Sequence, residues 1–237
     1  MMNKLFKRAV PPALCALALT TAASAAGTGF TDVPEDAWYA SAAVYCRDNG
    51  IMSGTSATEF SPGRPMTRAM LAAVLYRMSG SPAAEGESPF SDVKTGDWCG
   101  PAVVWASGKG YMGGYGDGRF GPNAPVTREQ LAAVLWCYSG SPDAFASDFA
   151  DEAAIASYAG KAVDWTRSAG VMNGLSDGRF APKNQTTRAQ LAVVLRNYIS
   201  PSLLTEVSAM DVMCQPCGAA AMPDGSLLVT DTYNRVV

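Results

Sequence analysis

The stretch Phe120-Gly121-Pro122-Asn123-Ala124-Pro125-Val126-Thr127-Arg128-Glu129-Gln130-Leu131-Ala132-Ala133-Val134-Leu135 joins a Pro- and Gly-bearing loop to the start of a helix. Thr127 and Gln130 have the spacing of a capping box, in which two side chains satisfy amides that a first helical turn leaves unpaired. Leu131, Val134, Leu135 and Tyr138 then recur at helical spacing and predict a buried stripe. Sixty residues upstream the same marks stand at Phe60, Pro62 and Thr67-Arg68; sixty downstream they stand at Phe180, Pro182 and Thr187-Arg188. Gly50, Gly110 and Gly170 share this register, as do Gly54, Gly114 and Gly174. The period slips once, because Phe90 follows Phe30 by 60 residues whereas Phe149 follows Phe90 by 59, so the third unit lacks one residue near its start. Three copies of one unit imply that none buries its apolar face without its neighbours.

Two helices are predicted in each unit. The first spans roughly 36–48, 97–109 and 157–169, each closed by a register glycine suited to a helix C-terminus. The second starts at the Thr-Arg pair and carries Met70, Leu71, Val74, Leu75 and Met78 in the first unit and Leu191, Val194, Leu195 and Tyr198 in the third. Thr187 and Gln190 repeat the capping box, whereas Met70 breaks it in the first unit. Phe60, Phe120 and Phe180, together with Trp105, Trp165 and the equivalent Tyr45, read as packing residues. Asp117-Gly118 and Asp177-Gly178 mark turns, and one Asp per loop is too few for calcium.

Composition narrows the function. The 237 residues include 18 Lys+Arg, 21 Asp+Glu and six cysteines but no histidine, which removes Ser-His, Cys-His and His-metal chemistry. A formal charge of −3 offers no footprint for nucleic acid. Lys4, Lys7 and Arg8, the apolar run Ala9 to Leu19 and Ala23-Ser24-Ala25 predict a secretory signal peptide over 1–25. The run falls well short of the roughly 20 residues a membrane-spanning helix needs. Cleavage leaves 15 basic and 21 acidic residues, a charge of −6, with no expected membrane partner. Cys46, Cys99, Cys137, Cys214 and Cys217 remain; the odd number and the spacing fit neither a full disulfide framework nor a closed metal set. Cys214-Gln215-Pro216-Cys217 has redox-motif spacing without the strand-helix context that such a motif needs. No catalytic residue, metal or cofactor is expected.

The ordered marks carry a resemblance. Phe30-Thr31-Asp32-Val33, Trp38-Tyr39, Gly50 to Gly54, Phe60-Ser61-Pro62 and Thr67-Arg68-Ala69 resemble an S-layer homology repeat. The second unit has Phe90-Ser91-Asp92-Val93, Trp98, Gly110 to Gly114, Phe120-Gly121-Pro122 and Thr127-Arg128-Glu129. The third keeps Phe149, Asp151, Gly170 to Gly174, Phe180-Ala181-Pro182 and Thr187-Arg188-Ala189, with Glu152 in place of the valine and Tyr158 in place of the tryptophan. The resemblance covers about residues 28–200, with repeats at 28–84, 88–144 and 147–200. It implies an all-α fold in which three helix-loop-helix units form a pseudo-threefold spindle. It also implies an exported protein held non-covalently to an anionic cell-wall polysaccharide, often one bearing ketal-linked pyruvate.

The implied glycan-binding residues are Asp32, Trp38, Arg68, Asp92, Trp98, Arg128, Asp151 and Arg188. Dipole physics bears on the arginines, since a cation at a helix N-terminus is disfavoured by some tenths of a kcal/mol, yet each repeat has one there. Beside free first-turn amides, each guanidinium makes an anion site suited to a carboxylate; otherwise it pairs internally with Asp32, Asp92 or Asp151. On the first reading Arg128→Ala weakens wall binding and leaves melting little changed. The aspartates either accept sugar hydroxyls or hold a loop, and Trp38 and Trp98 either stack on sugar rings or fill the core.

Residues 201–237 break the repeat. Two short strands around Asp224-Gly225 are predicted, a pattern that resembles the opening of an NHL-type β-propeller repeat, too little to close a propeller alone. The function classes are therefore a wall-binding module, the anchor portion of a longer exported enzyme such as a two-carboxylate glycosidase, or a lattice-forming surface protein. About 37 residues after the repeats are too few for a catalytic domain, so no enzyme activity is expected of this chain.

Overall fold

The computed structural model describes residues 27–84 and 86–200, and the backbone of 216–221 and 227–231. The expected signal peptide and the side chains of Cys214 and Cys217 lie outside the described residues. The chain divides into two units, Met1–Tyr198 and Ile199–Val237.

The first unit is helical. Among its described residues the elements are α1 (Ala40–Asp48), α2 (Arg68–Met78), α3 (Gly100–Gly108), α4 (Arg128–Tyr138), α5 (Gly160–Ser168) and α6 (Arg188–Ile199), two per repeat, with a 3-10 turn at Glu152–Ala154. Among the described residues no helix is long and apolar enough to cross a membrane.

The second helix of each repeat begins where the Thr-Arg pair places it. Thr67, Thr127 and Thr187 each accept a hydrogen bond from the amide three residues on, and Gln130 and Gln190 return the favour to the Thr amides at 3.0 Å. The first helices start three or four residues later than predicted. Asp36 and Asp97 instead lie in short turns closed by Ala37 N–H to Pro34 O, Ala40 N–H to Ala37 O, Asp97 N–H to Lys94 O and Gly100 N–H to Asp97 O. These three-residue steps hold Trp38 and Trp98 outside the helix barrel.

Each second helix packs on the first helix of the next repeat, α2 on α3 and α4 on α5. The set closes through α6 and α1, where the Cys46 thiol contacts Ala192 O and Arg196 donates to Ser41. Closure is sharpest just before the second helices. Met66 N–H donates to Thr186 O, Thr186 N–H to Val126 O and Val126 N–H to Met66 O, at 2.8 to 2.9 Å, a cyclic triad of backbone bonds among three buried residues. Leu71, Leu75, Leu131, Leu135, Leu191 and Leu195 are fully buried, as are Phe60, Phe120, Phe180 and Trp165. Burial pushes the Cys46 thiol up to about 12, so this cysteine is a packing residue rather than a reactive one.

The described residues of the second unit form an antiparallel strand pair, β1 (Pro216–Ala221) and β2 (Leu227–Asp231), with Ala219 opposite Val229. These are the positions of the two predicted strands; Asp224 and Gly225 between them lie outside the described residues.

Candidate functional site

The three arginines that share the 60-residue register sit at the seams between repeats. Arg68 donates through Nε to Phe120 O at 2.8 Å and through Nη2 to Gly113 O, both in the second repeat. Arg128 reaches Phe180 O at 2.7 Å and Asn173 O at 2.9 Å in the third; Arg188 reaches Phe60 O at 2.7 Å and Ser53 O at 2.6 Å in the first. Each guanidinium also lies over the phenylalanine it bonds, 4.6 to 4.9 Å from the ring centroid. These residues are 7 to 8% exposed. Burial lowers each guanidinium's proton affinity, although arginine keeps its charge at neutral pH.

Both sequence readings of these arginines need correction. The first-turn amides are not free: Arg68 N–H bonds Ala124 O and Ala69 N–H bonds Pro122 O, with the same pairs at Arg128 to Asn184, Glu129 to Pro182, Arg188 to Arg64 and Ala189 to Pro62. The third amide of each helix goes to the capping threonine. A ring of three units has to satisfy its seam backbone, and the neighbouring loop does so. Nor do the arginines pair directly with the aspartates, since no ion pair among the described residues joins them. The guanidinium bonds to backbone carbonyls across the seam, so each arginine stabilises the ring and its replacement must alter melting.

The aspartates hold loops. Asp32 accepts the amides of Phe60 and Ser61 at 2.7 and 2.6 Å, Asp92 those of Phe120 and Gly121 at 2.7 and 2.9 Å, and Asp151 those of Phe180 and Ala181 at 2.7 and 2.8 Å. The second residue of each pair has a left-handed φ of 56, 71 and 55°, which is costly for Ser61 and Ala181. Bidentate acceptance fixes that turn and thereby aims the Phe carbonyl at the arginine. The one-residue deletion in the third repeat leaves this geometry intact. Burial works to raise the Asp92 pKa, but the two amide bonds and Arg119 outweigh it and hold the carboxyl below its ordinary value.

The aromatics divide cleanly. Trp105 and Trp165 are buried, as expected for packing, whereas Trp38 and Trp98 are 66% and 69% exposed and Tyr158 is exposed at the same register. Core filling is therefore excluded for Trp38 and Trp98. Tyr158 lies within electrostatic reach of Arg68 and Tyr115, so a seam gathers an arginine from one repeat, an aspartate-held loop from the next and the aromatic of the third.

A family profile described as the S-layer homology domain matches residues 29–70, 89–132 and 148–192, together more than half of the chain. The chain belongs to the S-layer homology domain family. An endoglucanase of Bacillus sp. (strain KSM-635) is 31% identical over 78% of this chain and 19% of its own length. An amylopullulanase of Thermoanaerobacterium thermosulfurigenes is 28% identical over 73% and 10%, and the surface-layer 125 kDa protein of Lysinibacillus sphaericus is 37% identical over 45% and 9%. The chain thus spans a fifth or less of the length of these curated relatives. The S-layer homology domain is an anchoring module, and its presence places this protein at the bacterial cell surface or wall.

Sequence reading missed several residues of the S-layer homology seams, all of which occur in one repeat only. Glu129 is 4% exposed at a position held by Ala69 and Ala189; its carboxylate accepts from Lys183 Nζ at 2.6 Å and from Ala156 N–H at 3.0 Å. Tyr115 lies over Arg68, 5.0 Å from the guanidinium. A search for what the copies share passes over such departures, and only the 60-residue register applied in reverse, to find mismatches, marks them.

Proposed function

We propose that the seams between the repeats hold an anionic cell-wall polysaccharide, one carrying ketal-linked pyruvate, and so anchor an exported protein without a covalent bond. The observation that carries this reading is the pair of exposed tryptophans, Trp38 and Trp98, in register with the arginines of the seams. Two backbone bonds use two of the five N–H donors of each guanidinium, and a fork remains for a carboxylate entering at the exposed edge of Arg128 or Arg188. Trp38 and Trp98 offer flat apolar area to a sugar ring at low entropy cost. Asp32, Asp92 and Asp151 aim the loops and have spare lone pairs for sugar hydroxyls.

Sedimentation of the secreted protein with purified walls, before and after mild acid removal of pyruvate, tests the proposal. Co-sedimentation that acid treatment abolishes is expected; failure to sediment with untreated walls overturns the reading. The long relatives, an endoglucanase, an amylopullulanase and a surface-layer protein by name, support a second element: that the repeats anchor a larger exported enzyme or lattice protein. The strand pair at 216–221 and 227–231 fits the opening of an NHL-like β segment.

A further inference from the structure

The three seams differ in the charges and rings that face their arginines. At the Arg188 seam stand two further arginines. Arg188 N–H bonds the carbonyl of Arg64 at 2.9 Å. Arg77 Nη1 reaches Ile51 O at 3.4 Å, two residues along the loop from Ser53, whose carbonyl takes Arg188 Nη2. Arg64 and Arg77 are exposed, and Arg188 is more than nine-tenths buried. After burial, the charges that act on the Arg188 guanidinium are Arg64 and Arg77 against Asp32, an excess of cation. The equivalent positions at the other seams are neutral, Ala124 and Cys137 beside Arg68, and Asn184 and Asn197 beside Arg128.

The Arg68 seam is filled by its own side chains. Its guanidinium is enclosed between the rings of Phe120 and Tyr115, at 4.6 and 5.0 Å, whereas Thr55 and Leu175 stand in the place of Tyr115 elsewhere. Glu129 ties Lys183 and the Ala156 amide, and it accepts a hydrogen bond from Tyr158, the counterpart of the exposed tryptophans. Burial, that carboxylate and its hydrogen bond push the Tyr158 hydroxyl up to about 12. An incoming acid at this seam meets a carboxylate already in place and an aromatic already engaged.

We infer that the seams divide their work: acidic groups of a saccharide are held at the Arg188 seam, with Arg64 and Arg77 as its specificity-determining cations, while the Arg68 seam is closed by Tyr115, Glu129 and Tyr158. This deepens the wall-anchoring reading and rests on it. By the register that sets Tyr158 near Arg68, Trp98 is the aromatic beside Arg188 and Trp38 the one beside Arg128.

The full secreted chain is titrated with a hexoside bearing a 4,6-pyruvate ketal, with the ketal-free hexoside as control, after the wild type has been sedimented with purified walls. Arg64→Gln/Arg77→Gln, both at exposed positions, weakens ketal binding about tenfold and flattens its salt dependence. Arg68→Gln, which tests the closed seam, changes it less than twofold. A double variant with unchanged affinity and salt slope overturns the assignment, as does an Arg68→Gln chain that melts like a folded protein yet loses tenfold; in both cases sedimentation by the wild type leaves anchoring intact. A wild type that does not sediment overturns both readings.

Discussion

An arginine at the start of a helix looks like a misplaced cation until its partners are counted. Arg128 spends two charge-assisted bonds on Phe180 O and Asn173 O and stacks on Phe180, each such bond contributing about 1.5 to 3 kcal/mol. Arg128→Ala is therefore expected to lower unfolding stability by about 2 to 4 kcal/mol in a denaturant titration as well as to weaken wall binding; a loss of binding with unchanged stability would return the residue to a purely ligand-facing role. Asp92 carries a pH signature. Its carboxyl is held below the unfolded value of 3.8, so the native state favours the ionised form. That contribution is fully present above about pH 4 and is lost as pH falls through the lower folded value. Asp92→Asn should lose stability above pH 4 and flatten the difference in melting temperature between pH 5 and 3 relative to wild type. An Asn variant that follows the wild-type acid profile would show that Asp92 does not report on the turn. Both residues stand out in the sequence by repetition, but their partners are main-chain groups some 28 to 52 residues away, and main-chain groups have no letter of their own.

The helices divide into a legible class and a less legible one. The second helices carry both a start signal and a stripe, so Arg68, Arg128 and Arg188 mark their first residues as predicted. The first helices lack a capping side chain, and the Asp-bearing segments before them settle in turns instead. The glycines of the intervening loops explain their own recurrence. A Cβ at Gly114 would stand 2.6 Å from both Arg119 O and the Phe90 ring, which is why a phenylalanine opens each unit and a glycine lies where its ring lands. At the stripe itself, Leu131 is fully buried, and Leu131→Ala is expected to cost about 2 to 5 kcal/mol by thermal or chemical unfolding. A smaller loss would mean that α4 can collapse into the space.

At the scale of the molecule, repetition predicted mutual dependence, and the ring of backbone bonds supplies its form. Which repeat satisfies which was not readable, because a 60-residue period fixes equivalence and says nothing of direction. The ring also carries an imperfection. Thr186 takes the place of Met66 and Val126 in the triad, and its Oγ1 has no hydrogen-bond partner among the described residues. Thr186→Val keeps the shape and removes that hydroxyl, so it should stabilise the protein by about 1 kcal/mol, read as a rise in melting temperature; a fall would reveal a partner for the hydroxyl. The Tyr-Ser contacts at the other end of the second helices are likewise incomplete. Ser79 pairs with Tyr138 and Ser139 with Tyr198, but Met78 at the corresponding place has no hydroxyl to offer.

Because Met66, Val126 and Thr186 bond in a cycle, the order of the repeats along the chain is a matter of covalent history rather than of geometry. Re-cutting the gene so that translation begins with the second unit and ends with the first leaves every seam with its proper neighbour. Removing any one unit strands donors and acceptors on both of the others.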